Sequence, residues 1–501
     1  MVLEGLFLGL SVAISPENLL YCLIGVTLGT FIGVLPGLGP LVTISVLLPI
    51  TFTLPPVGAM IMLAGIYYGA SYGGSTAAIL VKIPGESASV VMCLDGYAMA
   101  QQGRAGPALA MTTIASFAAG CVATLVIAYF APALAMWALH FGSPEYFSLM
   151  VLGLVTATAM SQGSTVKAVA MVVLGLLLGL VGTDVTSGLY RFTFGFPELA
   201  DGLSFVILAM GLFGVAEIIF SLSRQSKPIN YKGSIRGLMP TRQDFREAAM
   251  PIVRGTGVGT LLGILPGAGT TISSFTAYMV ERKIAKDPSR FGKGAMEGIA
   301  APEAANNAAA QTAYIPTLTL GIPGNATTAL MLGALTIYGI APGPQVMNSH
   351  PDLFWGLIVS MFIGNLLLLV LNLPMVGLWV KMLAIPYRLL FPAIILLCCI
   401  GVYTLGNSVF DVYLLAAFGV LGYVFRKLGF DAAPLLLGFV LGPLMEENLR
   451  RSMVLARGDP TIFLSRPLSM VMLILALGIL LLTLLPLLRR VSAVLATRTQ
   501  K

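Results

Sequence analysis

Charge is scarce along this chain. Only 10% of its 501 residues are Asp, Glu, Lys or Arg, and 57% are hydrophobic, whereas roughly 25% are charged in an average soluble protein. A mean hydropathy of +0.93 leaves too little polar surface to cover a water-soluble particle of this size. Histidine is nearly missing: His140 and His350 both fall at loop edges. With no acidic-pair motif either, an intramembrane enzyme lacks its usual machinery. The cysteines Cys22, Cys93, Cys121, Cys398 and Cys399 lie in apolar runs without metal-ligand spacing, so no metal or redox role is read from them. The N-terminal segment carries Glu4 and no basic n-region, unlike a cleaved leader. The net charge of +7 does not indicate nucleic acid. Its basic residues sit in short loops between apolar spans, the usual positive-inside bias.

Long apolar stretches are abundant: Met111–Leu139, Val166–Val181, Leu353–Leu373 and Leu468–Leu488. Roughly 20 helical residues cross a hydrocarbon core. The chain is therefore expected to be an all-α polytopic membrane protein of roughly 10–12 spans.

These runs contain an internal repeat. Gly29-Thr-Phe-Ile-Gly-Val-Leu-Pro-Gly-Leu-Gly39 recurs as Gly259-Thr-Leu-Leu-Gly-Ile-Leu-Pro-Gly-Ala-Gly269, with 7 of 11 positions identical at an offset of 230. Ile83-Pro84-Gly85 recurs as Ile322-Pro323-Gly324 at an offset of 239. The expected layout is an apolar segment 1–16, a first transmembrane repeat 17–222, a basic cytoplasmic linker 223–246, a second repeat 247–450, and a terminal loop, helix and cytoplasmic tail over 451–501.

Flanking charge suggests how the repeats are oriented. Basic residues from Arg224 to Arg246 precede the second Leu-Pro-Gly, and others from Arg282 to Lys293 follow it, whereas no Lys or Arg occurs before Lys82. Past the Ile-Pro-Gly motifs the signs swap: Arg104 follows the first, and 339–351 after the second has no Lys or Arg. The 15-residue arm Pro251–Leu265 would be about 22 Å long as a helix, which fits a re-entrant hairpin entered from the cytoplasm. The two halves are thus expected to be inverted repeats with Pro-Gly-broken helices, as in many secondary transporters; a parallel repeat is the alternative.

Proline removes a backbone donor and glycine tolerates close approach. In hydrocarbon the freed polar groups survive only inside protein or beside a wet cavity. There, half-helix N-termini suit an anion and exposed carbonyls suit Na⁺. The breaks at Pro36, Gly37, Gly39, at Pro84, Gly85, at Pro266, Gly267, Gly269, and at Pro323, Gly324 are therefore candidate binding elements. Neutral donors and acceptors surround them: Thr43, Ser75, Thr76 and Ser87 in the first half, and Thr270, Thr271, Asn325 and Thr327 in the second. Helix kinks and small-residue packing are the plain alternative for any one of them. Charges in apolar sequence are costly and so functional candidates. Lys82 precedes the first Ile-Pro-Gly and Glu86 follows it, and Glu303, Asn306 and Asn307 lie on an Ala-rich helix leading to the second. Lys82 is a candidate carboxylate ligand. Glu303, Asn306 and Asn307 are candidates for ion coupling, with Na⁺ near Gly37, Gly267 or Asn307 as one form. Asp184, Arg191, Glu217 and Glu446 fall near span ends, where solvation accounts for them.

The chain resembles the large membrane subunit of the tripartite tricarboxylate transporter family. The matching stretches are Gly33-Val-Leu-Pro-Gly-Leu-Gly-Pro40, Tyr68-Gly-Ala-Ser-Tyr-Gly-Gly-Ser-Thr76 running to Lys82-Ile-Pro-Gly-Glu86, Ala301-Pro-Glu-Ala-Ala-Asn-Asn307, and Thr319-Leu-Gly-Ile-Pro-Gly324. The resemblance implies a bacterial inner-membrane uptake system. Its other parts are a small membrane subunit and a periplasmic solute-binding protein that delivers the carboxylate, and an ion gradient drives it without ATP. The absence of a Walker-type Gly-x-x-x-x-Gly-Lys-Ser/Thr loop in this chain is compatible with that. Citrate, other di- or tricarboxylates and aromatic carboxylates all suit such a site, Na⁺ and H⁺ both remain open as the driving ion, and no other cofactor is expected. By fold-level analogy an elevator-like displacement is expected, and a homodimer of the large subunit is a further partner state. A passive carboxylate or ion channel working without a binding protein is the competing class.

Overall fold

The structure is a computed structural model. It describes the backbone of residues 2–35, 38–160, 164–184, 186–223, 237–265, 267, 269–382 and 387–498, with side chains throughout except at 160, 380, 387–390 and 484–498. Pro36, Gly37, Pro266 and the linker residues 224–236 lie outside the described residues.

The chain is all-α, 80% helical. In order, the first part holds α1 (Val2–Ala13), α2 (Pro16–Gly33), α3 (Pro40–Thr51), α4 (Pro56–Val81), a 3₁₀ turn (Ser87–Val91) leading into α5 (Met92–Gln101), α6 (Ala105–Ala138), α7 (Ser143–Met160), α8 (Thr165–Gly179), and α9 (Phe205–Ala209) joined through a π turn to α10 (Ala216–Ser223). Then come α11 (Arg242–Ile264), α12 (Gly269–Ile284), α13 (Glu297–Thr312), α14 (Tyr314–Leu320), α15 (Ala326–Ile337), α16 (Val346–Ser349), α17 (Pro351–Met382), α18 (Tyr387–Gly406), α19 (Val409–Lys427), α20 (Ala433–Leu455), α21 (Ile462–Ser465) and α22 (Pro467–Arg498). Pro16, Pro40, Pro56, Pro351 and Pro467 open their helices; there the missing N–H is one the helix would leave unbonded anyway. α11 begins at a capping box in which Thr241 and Asp244 bond each other's backbone N–H. It runs through Pro251, so the arm that was expected to start at Pro251 is a 23-residue helix.

Among the described residues, 4 helices are long and apolar enough to cross a membrane, or 5 if the bent pair Val2–Ala13 and Pro16–Gly33 is one span, and shorter apolar helices accompany them. Two of the shorter ones, Pro40–Thr51 and Ala326–Ile337, follow a Pro-Gly motif, where the chain is cut before it completes a span.

The chain divides into two compact units. One comprises Met1–Met136 and Val206–Tyr423, the other Trp137–Phe205 and Val424–Lys501. Each draws on both sequence repeats, so the compact units are not the repeats themselves. In the smaller unit α8 lies against α20 at glycines: a methyl on Gly175 would strike the Leu435 carbonyl oxygen, and one on Gly438 the Val172 carbonyl oxygen. An ionic cluster closes its loop. Arg191 pairs with Glu446 at 2.8 Å, and Arg450 with Glu446 at 2.7 Å and Asp184 at 3.2 Å. Asp184, Arg191 and Glu446 are thus partnered rather than merely solvated. The Thr186 N–H and the Ser187 hydroxyl, with Arg450 and Arg191 beside them, hold the Asp184 carboxyl below its ordinary range.

In the larger unit α4 and α13 are buried around nearly their whole circumference, from Gly58 to Leu80 and from Gly298 to Thr312, as befits interior helices. Each is gripped by a glycine ladder. A methyl on Gly25, Gly29 or Gly33 of α2 would meet the carbonyl oxygen of Met62, Ile66 or Ala70 of α4. A methyl on Gly255, Gly259 or Gly263 of α11 would meet that of Ala301, Ala305 or Ala309 of α13. The ladders are related by 230 residues on one side and 239 on the other, the two offsets of the sequence motifs, so the duplication is repeated in packing. Gly259→Ala should therefore destabilise the protein by about 1–3 kcal/mol, the usual cost of overpacking. Thermal unfolding in detergent reads this, with Gly257→Ala, where nothing lies within 4 Å of the added methyl, as the neutral control. Asp95, wholly buried, anchors the loop before α13. It accepts N–H bonds from Gly292, Gly294 and Ala295 at 2.8–2.9 Å and the Tyr278 hydroxyl at 3.0 Å.

Candidate functional site

Each half stops two helices at a Pro-Gly sequence and starts helix again just beyond. α2 ends at Gly33 and α3 begins at Pro40; α4 ends at Val81 and helical structure resumes at Ser87. Likewise α11 ends at Ile264 and α12 begins at Gly269; α14 ends at Leu320 and α15 begins at Ala326. The turn that ends α4 places Lys82 in the left-handed region at φ 58°, where the second half has Gly321 at φ 70°. A side chain there is strained, and strain of this kind clusters at functional sites. Its ammonium lies over the Tyr97 ring, 5.5 Å from the centroid.

The restarts are built alike. The Glu86 N–H donates to Ser89 Oγ at 3.2 Å, and the Asn325 N–H to Thr328 Oγ1 at 3.0 Å. Thr43 Oγ1 donates to the Gly39 carbonyl and Ser273 Oγ to the Gly269 carbonyl, both at 2.9 Å. In the second half the two breaks touch directly, through a bond from Gly267 N–H to the Gly324 carbonyl at 2.8 Å. In the first, a Cβ on Gly39 would lie 3.1 Å from the Gly85 carbonyl oxygen.

The halves meet through crossed contacts. Asn306 Nδ2 donates to Glu86 Oε1 at 3.0 Å, and Asn325 Nδ2 donates to Tyr67 Oη at 3.1 Å. Glu86 and Asn325 are 239 residues apart, and so are Tyr67 and Asn306. Each contact is therefore the repeat image of the other with its partners exchanged. α3 also packs on α15, and α12 on the Ser87–Val91 turn, so all the breaks share one region.

Glu303 lies beside the first Ile-Pro-Gly break: its partner Ser75 follows Gly74, against which Gly85 packs. Its side chain is buried, in a residue 1% exposed, and accepts hydrogen bonds from Ser75 Oγ at 2.6 Å, Ser116 Oγ at 2.9 Å and Asn307 Nδ2 at 3.2 Å. Among the described residues no ion pair involves Glu303 or Glu86. Beside them Tyr67, Tyr68 and Tyr314 form a buried ring cluster with centroids 5.9–6.4 Å apart. The hydroxyls of Tyr68, Ser71, Tyr72 and Tyr314 and Asn306 Oδ1 are buried without a well-formed hydrogen bond among the described residues. The hydroxyls have only looser polar neighbours: Tyr68 and Tyr314 each other, Ser71 the Glu86 carboxyl and Tyr72 the Ser116 hydroxyl. Native interiors rarely leave such atoms without a well-formed bond, so this buried polar cluster is a candidate place for a polar guest.

Of the residues singled out from sequence, Ser75, Gly85, Gly267, Glu303, Asn306, Asn307, Gly324, Asn325 and Thr327 gather here, Thr327 beside Tyr67. Thr76 is buried next to Ser75, and Thr270 and Thr271 are half-buried in the first turn of α12, whereas Lys82 and Ser87 are exposed. Sequence reasoning missed Tyr67, Tyr68, Tyr314 and Ser116 as site residues and left Glu86 without a role. Two adjacent tyrosines in the middle of an apolar helix were the available signal for the first two.

A profile described as the Tripartite tricarboxylate transporter TctA family matches residues 19–437, a span that includes every break and every residue just named. The chain belongs to the TctA family of tripartite tricarboxylate transporters. It is 53% identical over 489 residues, 97% of either chain, to an uncharacterized 52.8 kDa protein in the TAR-I ttuC' 3'region of Agrobacterium vitis. It is 57% identical over 231 residues to an uncharacterized protein in the TAR-II ttuC' 3'region of the same organism, covering 96% of that protein and 46% of this chain. No solved structure matches it significantly. TctA proteins are a transporter family and not an enzyme family, which makes this chain the large subunit of such a transporter. With its apolar helices, it is a multi-pass membrane protein.

Proposed function

We propose that this TctA-family chain takes up small organic carboxylates across the bacterial inner membrane, driven by an ion gradient. It works with a small membrane subunit and a periplasmic solute-binding protein. The observation that carries this reading is that break residues of each half bond the other half, Asn306 to Glu86 and Asn325 to Tyr67, next to the buried Glu303 carboxylate with its hydroxyl partners Ser75 and Ser116. A carboxylate substrate accepts bonds from the buried hydroxyls there and from half-helix N–H groups. Glu303, Asn306 and Asn307 serve the coupling ion, Na⁺ or H⁺. A core that carries the site moves in an elevator-like displacement, and the crossed Glu86–Asn306 and Tyr67–Asn325 contacts are what a two-fold relation between the repeats 17–222 and 247–450 would produce.

Reconstituted complex tests this. Labelled citrate should accumulate only when binding protein and an inward Na⁺ or H⁺ gradient are both supplied; equilibrative flux without either would identify a channel. Orientation is tested by cysteines placed at Ser15 and Ser289. Impermeant maleimide should reach them from opposite faces of the membrane if the repeats are inverted, and labelling from the same face would remove that relation.

A further inference from the structure

We propose that residues 189–194, in the loop between α8 and α9, are an interfacial anchor seated in the outer leaflet of the membrane, with lipid as their partner. This depends on the chain's multi-pass placement and not on the transport reading. The loop is turned inside out relative to one that faces water. Gly182–Thr183 pairs antiparallel with Tyr190–Arg191, and the charges of this hairpin turn toward α20. Asp184 is 7% exposed and meets Arg450 at 3.2 Å, and Arg191 reaches Glu446 at 2.8 Å. The apolar side chains face out: Leu189 is 68% exposed, Tyr190 69%, Phe192 50% and Phe194 82%. Phe192 and Phe194 have φ of 53° and 51°, a left-handed backbone that a bulky side chain adopts only under strain. In water, large apolar side chains displayed around inward-facing ion pairs reverse the stable arrangement.

The depth of the loop follows from α8 and α20. These helices run parallel, because Gly175 meets Leu435 and Gly179 meets Phe439. Their starting ends are basic. Lys167 stands in the first turn of α8 and donates to the Leu428 carbonyl, and Arg426 and Lys427 precede α20. Basic residues favour the cytoplasmic side, so the hairpin lies toward the periplasmic one. α8 has 15 residues, about 22 Å of helix. Glu446, the partner of Arg191, is 13 residues beyond the start of α20 at Ala433, about 20 Å along it. A hydrocarbon core is about 30 Å thick. The chain therefore leaves α8 within the outer half of the bilayer, where tyrosine rings gather and where Phe and Leu of an interfacial segment insert. The apolar surface is also continuous with α8, whose Val166, Val173 and Leu177 are 47–54% exposed along one face. A docked protein would account for the exposed rings but not for the shortness of α8.

The test uses the full-length chain in cell membranes. p-Benzoylphenylalanine replaces Phe192, Phe194 or, as a control, Lys286 in the exposed basic loop after α12. Adducts formed on irradiation are identified by mass spectrometry. Both phenylalanines are exposed, so the larger ring needs no repacking. Lipid adducts at 192 and 194 should exceed those at 286 at least tenfold. Lipid adducts no more frequent than at 286 would overturn the anchor and leave the loop in water. Coupling of 192 and 194 mainly to a second polypeptide would also overturn it and make the loop a protein-docking surface.

Discussion

Gly85→Ala should lower the initial rate of gradient-driven carboxylate uptake by about 100-fold or more, a size reached when reacting groups are displaced by roughly 1 Å. The added methyl would lie 2.5 Å from the Gly74 Cα and 3.1 Å from the Gly33 carbonyl oxygen. Both neighbours are backbone, so the methyl can be accommodated only by moving the break itself. Gly324 holds the equivalent place in the second half, where the added methyl would lie 2.9 Å from Ala313 Cβ and no nearer than 3.1 Å to backbone. Ala313 stands where the first half has Gly74, so this half already leaves more room between the break and the helix before it. Gly324→Ala should therefore keep more activity than Gly85→Ala, while Gly324→Val should lose it. The comparison needs membrane expression and monodispersity to be matched, and Gly257→Ala serves as the silent control. Uptake at the normal rate in both Gly85→Ala and Gly324→Val would show that the breaks are kinks and nothing more.

The duplication was legible because glycine and proline punctuate it, and glycine is kept for backbone contact. The same offsets that align the Pro-Gly motifs reappear in the α2–α4 and α11–α13 ladders. Which polar residues meet was far less legible. Glu303, Asn306 and Asn307 were read together as candidates for ion coupling, but Asn306 reaches Glu86 and it is Asn307 that bonds Glu303. Both spacings put side chains on neighbouring faces of a helix, and only the packing of α4 and α6 decides between them. Ser116 carried no signal, since a serine in a helix is normally satisfied by its own backbone. Lys82 was legible as an expensive charge but not as a left-handed cap, because that conformation is set by the turn into Pro84. The arm ending at Leu265 was cut short at Pro251, as helices usually are, whereas the Thr241 capping box starts α11 nine residues earlier.

Glu303→Gln should abolish accumulation while leaving exchange of labelled for unlabelled carboxylate intact. Glutamine keeps the shape of the side chain, and the Ser75 and Ser116 hydroxyls can accept as well as donate, so the hydrogen-bonded cage around position 303 can re-form. Only the ionisable group is lost. One net charge moved inward across 100 mV is worth about 2.3 kcal/mol, or roughly 50-fold accumulation. Wild-type proteoliposomes should approach that ratio and Glu303→Gln should stay near 1, with exchange within about threefold of wild type. Glu303→Ala is the less informative variant, because it strands Ser75, Ser116 and Asn307 in a buried pocket at a cost of about 1–3 kcal/mol for each unpaired group and should reduce expression. Full accumulation by Glu303→Gln would remove Glu303 from coupling and shift attention to Glu86, the carboxylate held by Asn306 at 3.0 Å. Loss of exchange along with accumulation would instead place Glu303 in the substrate's own binding shell, beside the buried Tyr67–Tyr68–Tyr314 cluster.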